Sequence, residues 1–435
     1  QKLIRKKIKL VIMVDCGSSS NEAIDFLNEN KIKSLIIDHH EINKPYPKSN
    51  EIINPKKDNG YIEYDYLCAT TLTYFFLEML AKKINCKINL RKYLIYVLLA
   101  TVCDVMPLRK MNRLISIIAL KEFDIKDNYL IKKIYDLSKK KNKININDLG
   151  FLIGPILNAG GRLGKSKYAT ELLSTSNQKI IDDKTIKLIA LNEKRKKIEF
   201  SILNTIDFKQ IENDNKHVIV FYSPNINEGL IGILASRLKD HFNKPSIVIT
   251  NSNNFLKSSA RSIPNYNIGK AIKRALNRNI ILNGGGHDMA AGFTLKKNVL
   301  DNFKKFINED FLKNSSKSEF EFTYDSEVSF LALKKDFKDD IKKLQPFGNG
   351  NPLPTFFLKR LTVIKPKILN NKHVLCFLKS KTGSSINSIC FNSVNTKVGE
   401  YLLNYKKDLN VVGQINENIW ENKKTLQLII KDIIL

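Results

Sequence analysis

The chain has 435 residues, 43% of them hydrophobic, enough to bury the cores of roughly two to four domains, which excludes a disordered or low-complexity protein. Its longest apolar run, YLIYVLLATVC at 93–103, falls well short of the ~20 residues that cross a bilayer, and its six cysteines form no CxxC pair or disulfide framework; these exclude a membrane span and a disulfide-stapled secreted domain, and a cytoplasmic location is expected. The net charge of +29 points to a polyanionic partner, but only 11 of the 72 basic residues are arginine in a chain also rich in Ile and Asn, so the few arginines are the informative ones.

In chain order, IKLVIMVDCG (8–17) is a continuous apolar run of the kind that makes a parallel strand covered on both faces, and it ends at Asp15. SSSNEAIDFLNEN then reads as a Ser-capped amphipathic helix and IKSLIIDHH as a second strand. Such a unit predicts a right-handed parallel crossover whose ligand crevice lies beyond the carboxyl ends of the strands. Asp15 and the trio Asp38, His39 and His40 both fall there. Neighbouring strands are ~4.8 Å apart, so these side chains can converge. Helices are expected over 65–135, including a core helix at 93–103 that stops at Asp104, and KKKNKININ (139–147) reads as a basic connector. From 217, HVIVFY, NEGLIGILASRLKDHF and KPSIVIT spell strand, helix and strand, a second and smaller α/β domain reaching about 312. Beyond it, short alternating apolar runs and turn signals such as Asn349-Gly350 predict a small β domain, barrel or sandwich.

Three segments offer metal ligands: VDCG with Asp15, DHH with His39, and LLATVCDVMPL with Asp104. Cys16 and Cys103 beside two of the acids are expected to pack inward. Carboxylates with an imidazole suit Mn²⁺ or Mg²⁺ better than zinc, and a pair of such ions ~3.5–4 Å apart can activate water for phosphodiester hydrolysis. LNGGGHDMAAGF (282–293) reads as a Gly-rich turn in which Gly284, Gly285 and Gly286 let backbone N–H groups approach a phosphate and His287 adds a donor. Arg261 in SSARS, and Arg162 with Asn158 in NAGGRLG, read as phosphate clamps because a guanidinium fork binds two oxygens at once. Arg195 and Arg237 fit structural ion pairs equally well. AGGRLGKS (159–166) mimics the end of a nucleotide-binding loop, but Ala159 replaces the required glycine and Pro155 breaks the strand that should precede it, so ATP binding is rejected. Phe347, Phe356, Phe391 and Trp420 lie among lysines in the last domain, where single-strand binders stack bases, although most such rings are core.

The ordered set VDCG, IDHHE, ATVCDVMPL, GPILNAGGRLG, LNEKRKKIE, EGLIGILASRL, SSARSIP, GGGHDMAAGFTL and QPFGNGNPLPTF resembles the DHH phosphoesterase superfamily, and within it the RecJ-like single-strand-specific exonucleases. The resemblance implies an α/β fold in parts: a parallel-sheet DHH domain (1–138), a helical connection (139–200), a smaller α/β DHH-associated domain that holds substrate (201–317) and an OB-fold that grips single strands (318–435). It implies that Asp15 bridges two Mn²⁺ or Mg²⁺ ions, that His39 and Asp104 bind the second, that His40 faces the scissile phosphate and that Asp38 orients the imidazoles. The family carries an earlier strand ending in a DxD-type motif, so such a segment is expected upstream of Gln1, and without it the chain is expected to be inactive. The implied activity is 5′ to 3′ hydrolysis of single-stranded DNA by a monomer, in DNA repair and recombination. Two other readings stand beside it: a DHH oligoribonuclease or cyclic-dinucleotide phosphodiesterase, and a catalytically dead single-strand-binding scaffold.

Overall fold

The first apolar run folds as β1 (Leu10–Val14), followed by the helix Asn21–Glu29, β2 (Lys33–Ile37) and β3 (Glu51–Ile53), in a computed structural model that describes residues 2–59, 61–316, 323–405, 407–420 and 423–435. The three strands form a parallel sheet in the order β1-β2-β3. Val14 lies opposite Ile37, and Ile37 opposite Ile53, so the strands end level with one another. Their next residues, Asp15, Asp38 and Asn54, therefore leave the sheet side by side. Ile24, Leu27, Ile32 and Ile36 form the core beneath, packed against Val11 and Met13. On the other face of β1, Leu10, Ile12 and Val14 are 49%, 50% and 43% exposed, so among the described residues this strand is covered on one face and not on both as its continuous apolar run predicts.

The apolar segment Leu94–Cys103 is a helix burying Leu94, Ile95, Val97, Leu98, Leu99 and Thr101, and it stops at Asp104, whose N–H donates to the Ala100 carbonyl at 2.9 Å. Among the described residues no helix is long and apolar enough to cross a membrane.

The chain divides into two compact units, residues 1–123, 144–149 and 322–435 in the first and 124–143 and 150–321 in the second. The helix Tyr129–Leu137 belongs to the second unit. There the Tyr129 hydroxyl donates at 3.1 Å and Lys133 pairs at 2.9 Å to Asp182 of the long helix Gln178–Asn204.

The second unit is built on a five-stranded sheet of β4 (Ile219–Tyr222), β5 (Ser246–Ser252), β6 (Phe255–Arg261), β7 (Asn283–His287) and β8 (Ala290–Leu295), in the order β4-β5-β6-β8-β7. Only β4 and β5 run parallel. Alternation along β5 feeds two cores: Ile247 and Ile249 join Tyr266, Ile272 and Phe303, while Val248 joins Leu230, Leu234 and Leu238 of the helix Glu228–Phe242. The Gly-rich stretch, expected as a turn, is strand β7 at the sheet edge. A Cβ on Gly284 would lie 2.6 Å from Phe293 Cβ, and one on Gly286 2.3 Å from the Ala290 carbonyl, so close packing on one face demands glycine there.

The C-terminal part contains β9 (Ser326–Glu327), β10 (Thr355–Leu369), β11 (His373–Lys379), β12 (Ser385–Cys390), β13 (Leu409–Trp420) and β14 (Lys423–Ile434). The order β11-β12-β14-β13-β10, closed by pairing of β10 with β11, makes a five-stranded barrel and not a sandwich. This is the OB arrangement. Its interior holds Phe356, Leu358, Val374, Leu378, Val411 and Leu428.

Candidate metal centre and phosphate-facing surface

Asp15 continues the β1 ladder through its N–H to the Ile37 carbonyl (3.0 Å) and then turns with φ 62, and Gly17 follows at φ 116 with Ile36 Cγ1 only 3.0 Å from where a Cβ would sit. This tight turn brings Ser18 back over the end of β2. The Ser18 N–H donates to Asp38 Oδ2 at 3.1 Å, and the N–H of His39 donates to Oδ1 at 2.8 Å. The His40 ring nitrogen Nδ1 lies 2.7 Å from the same oxygen. Burial opposes charge on Asp38, but hydrogen bonds from Ser18, His40 and the backbone outweigh it and hold the carboxyl well below the ordinary range. Asn54, after β3, donates to Ser18 Oγ (2.8 Å) and to the His40 carbonyl (2.9 Å), tying the three strand ends together.

His39 is 7% exposed, and its Nε2 is buried with no hydrogen-bond partner. It lies 3.4 Å from Asp15 Oδ1 and 3.2 Å from Asp104 Oδ2. Asp15, His39 and His40 can each present a ligand atom within 4.8 Å of the others. The Asp104 carboxyl is raised: burial pushes it up, His39 opposes that, and the Asp15 charge adds to it. A buried nitrogen lacking a partner between two carboxylates is the donor set of a divalent cation, with the oxygen-rich balance that Mn²⁺ and Mg²⁺ take. The residues present therefore fit such an ion. Of the two neighbouring thiols, Cys103 packs inward, its Sγ 4.0 Å from the Leu149 carbonyl and pushed up to about 11 by burial and the Asp104 charge, whereas Cys16 is exposed, contrary to expectation, because the turn at Asp15 swings it outward.

In the second unit, Arg261 ends β6 opposite Ala290, which in turn lies opposite His287. Residues paired directly across an antiparallel sheet share a face. Arg261 and His287 therefore project on one side, with Ser259, Gly292 and Gly285 forming the next row. Gly285 has nothing within 4 Å of a would-be Cβ, so the floor of this face is open at β7. Arg261 Nη1 is held by Ser259 Oγ (3.2 Å) and the Ala260 carbonyl (2.8 Å), and Arg162 Nη1 by the Gly229 carbonyl (3.2 Å). Burial first, then the charges of Arg195 and Arg261, push the Arg162 guanidinium down, and the buried Glu199 opposes them. Asn158 is exposed on the helix Gly154–Arg162, four residues before Arg162 and so on the same face. Arg195 and Arg237 make the structural ion pairs considered from sequence, both to the buried Glu199, at 2.9 and 2.8 Å. AGGRLGKS joins the helix Gly154–Arg162 to the helix Lys167–Ser174, so a helix and not a strand precedes it.

In the barrel, Phe356 is core, Phe347 packs against the core, and Phe391 is 51% exposed beside His373. The Trp420 side chain lies outside the described residues. Sequence reasoning missed Ser18 and Asn54, which nothing local distinguishes from ordinary turn residues.

Three family profiles match the chain in order: the N-terminal domain of the DHH family at residues 1–101, the DHHA1 domain at 215–313 and the RecJ OB domain at 324–432. The single-stranded-DNA-specific exonuclease RecJ of Haemophilus influenzae is 29% identical over 98% of this chain and 78% of its own length, and that of Bacillus subtilis 26% identical over 97% and 53%. The crystal structure of RecJ in complex with Mn²⁺ from Thermus thermophilus superposes with a TM-score of 0.85 at 21% identity, covering 100% of this chain and 63% of that one. Its Mg²⁺ complex superposes with a TM-score of 0.77 at 20% identity, covering 98% and 61%. The chain thus spans between about half and four-fifths of these relatives. It carries, in order, a DHH N-terminal domain, a DHHA1 domain and a RecJ OB domain, and over nearly its whole length it is similar to the RecJ exonucleases.

Proposed function

We propose that the chain is the core of a single-strand-specific DNA exonuclease working 5′ to 3′ with two divalent ions, in DNA repair and recombination, and that it acts as a monomer. The observation that carries this is the buried, partnerless Nε2 of His39 set between Asp15 and Asp104. Asp15 would be the ligand shared by the ions, and His39 and Asp104 would hold the second. A bound Mn²⁺ or Mg²⁺ lowers the pKa of water and offsets charge developing on the phosphoryl oxygens. Asp38 accepts a hydrogen bond at His40 Nδ1, which leaves Nε2 to donate to a phosphate oxygen once the ring is protonated. Arg261, Arg162 with Asn158, and the open strand of Gly284, Gly285, Gly286 and His287 hold the backbone of the substrate strand, with domain limits as read from sequence. The barrel grips the single strand further along, which argues against an enzyme restricted to very short substrates.

The test is degradation of 5′-phosphorylated single strands against duplex in Mn²⁺ or Mg²⁺, by this chain and by a form extended at its N-terminus. Release of mononucleotides from single strands, abolished by His39→Ala, supports the proposal. No metal-dependent cleavage by either form, or cleavage indifferent to that substitution, overturns it. Tight, salt-sensitive strand binding without cleavage would identify a scaffold instead.

A further inference from the structure

The residue that follows Asp104 stands in a conformation that its side chain resists. Val105 has φ 57, and a β-branched residue in the left-handed region is a genuine outlier that persists only when its surroundings over-determine it. Those surroundings are the QPFGNGNPL loop (345–353) that leads into the barrel strand β10. Asn349 Nδ2 donates to the Val105 carbonyl, and the Leu108 N–H donates back to the Asn349 carbonyl at 2.6 Å. Arg113, on the helix after this turn, donates to the Gln345 carbonyl at 3.3 Å. The glycines flanking Asn349 allow the contact. A Cβ on Gly348 would sit 2.7 Å from Leu108 Cδ1, and one on Gly350, at φ 71, would sit 2.7 Å from Pro107 Cβ. The loop therefore lies flat against residues 105–108, and any larger residue at its two glycines would lift it away.

We propose that this loop braces the turn after Asp104 and that Asn349 is a positioning residue, aiming the Asp104 carboxylate at His39 Nε2. The inference rests on the metal reading given above. It assigns the GNGN stretch to the metal centre, through the turn it holds, and not to strand binding. The turn after Asp104 is thus held by the polypeptide that enters the barrel, so the barrel and that turn are fastened by the same loop.

The experiment compares the unsubstituted chain with Asn349→Ala, with Gly350→Ala, and with Asn349→Ala combined with Val105→Gly. Asn349 is exposed, so its loss leaves the barrel core intact, which circular dichroism verifies. Hydrogen exchange over 104–110 and Mn²⁺ affinity by calorimetry are the readouts. Loss of the brace raises exchange at Leu108 roughly tenfold or more and weakens Mn²⁺ roughly 10–100-fold. Val105→Gly restores most of that affinity, because glycine holds positive φ without help. Unchanged exchange in Asn349→Ala overturns the brace, and faster exchange with unchanged Mn²⁺ affinity overturns the positioning role. If the unsubstituted chain binds no Mn²⁺, the metal reading falls and the positioning role with it, while exchange still decides the brace.

Discussion

His40 Nδ1 lies 2.7 Å from Asp38 Oδ1, and that carboxylate, 1% exposed, is also held by the N–H groups of Ser18 and His39. An acid so buried and so fully used works through its neighbours. Asp38→Asn keeps the size but cannot accept all these donors, so cleavage should slow roughly 10–100-fold with a smaller change in KM, as measured by steady-state kinetics. The sign of the accompanying pH effect follows from the depressed carboxyl. Its stabilisation is full above the unfolded carboxylate value of about 4 and is lost as pH falls below it. Acid denaturation curves of Asp38→Asn should therefore be shallower than those of the unsubstituted chain.

Cation binding should register as stability, independently of catalysis. At a Mn²⁺ concentration one hundred times Kd, binding to the native state adds about 2.7 kcal/mol. The thermal midpoint should rise with Mn²⁺ in the unsubstituted chain and stay flat in His39→Ala. An equal rise in both would mean that the ion binds elsewhere.

Arg261 and His287 share one sheet face, two strands apart, with the open glycine row beside them. If that face carries the phosphate backbone, Arg261→Ala should raise the KM for single strands and reduce the salt slope of binding by about one. Arg261→Lys should recover charge but not the two-oxygen grip, and so restore the salt slope more than the affinity. Unchanged salt dependence in Arg261→Ala would remove this residue from the strand path.

Burial pushes the Cys376 thiol, inside the barrel, up to about 12, and Cys390 beside it adds to the shift. The unfolded thiol ionises near its ordinary value of about 9. Its contribution to stability is thus whole below that pH and declines as pH rises toward about 12. Denaturation midpoints should fall between pH 9 and 11, and Cys376→Ala, less stable at neutral pH because of its cavity, should show a gentler fall. Alkylation of the native chain should reach the exposed Cys16 and Cys86 long before Cys376.

What the sequence determined by itself is local. Continuous apolar runs, turn residues and the polar residues just after them were enough to place Asp15 and His39 at strand ends and Asp104 at a helix end, because strand and helix periodicities are written in near neighbours. The same signals misjudged β1, whose apolar run reads as doubly covered although one face is open among the described residues, and the glycine stretch, which is an edge strand because Phe293 and Ala290 leave no room for side chains at Gly284 and Gly286. Tertiary structure alone decided the level ends of β1, β2 and β3, the shared face of Arg261 and His287, the closure of the barrel and the reach of Asn349 to Val105. Each of these depends on register or packing between segments distant in the chain, which no window of neighbouring residues encodes.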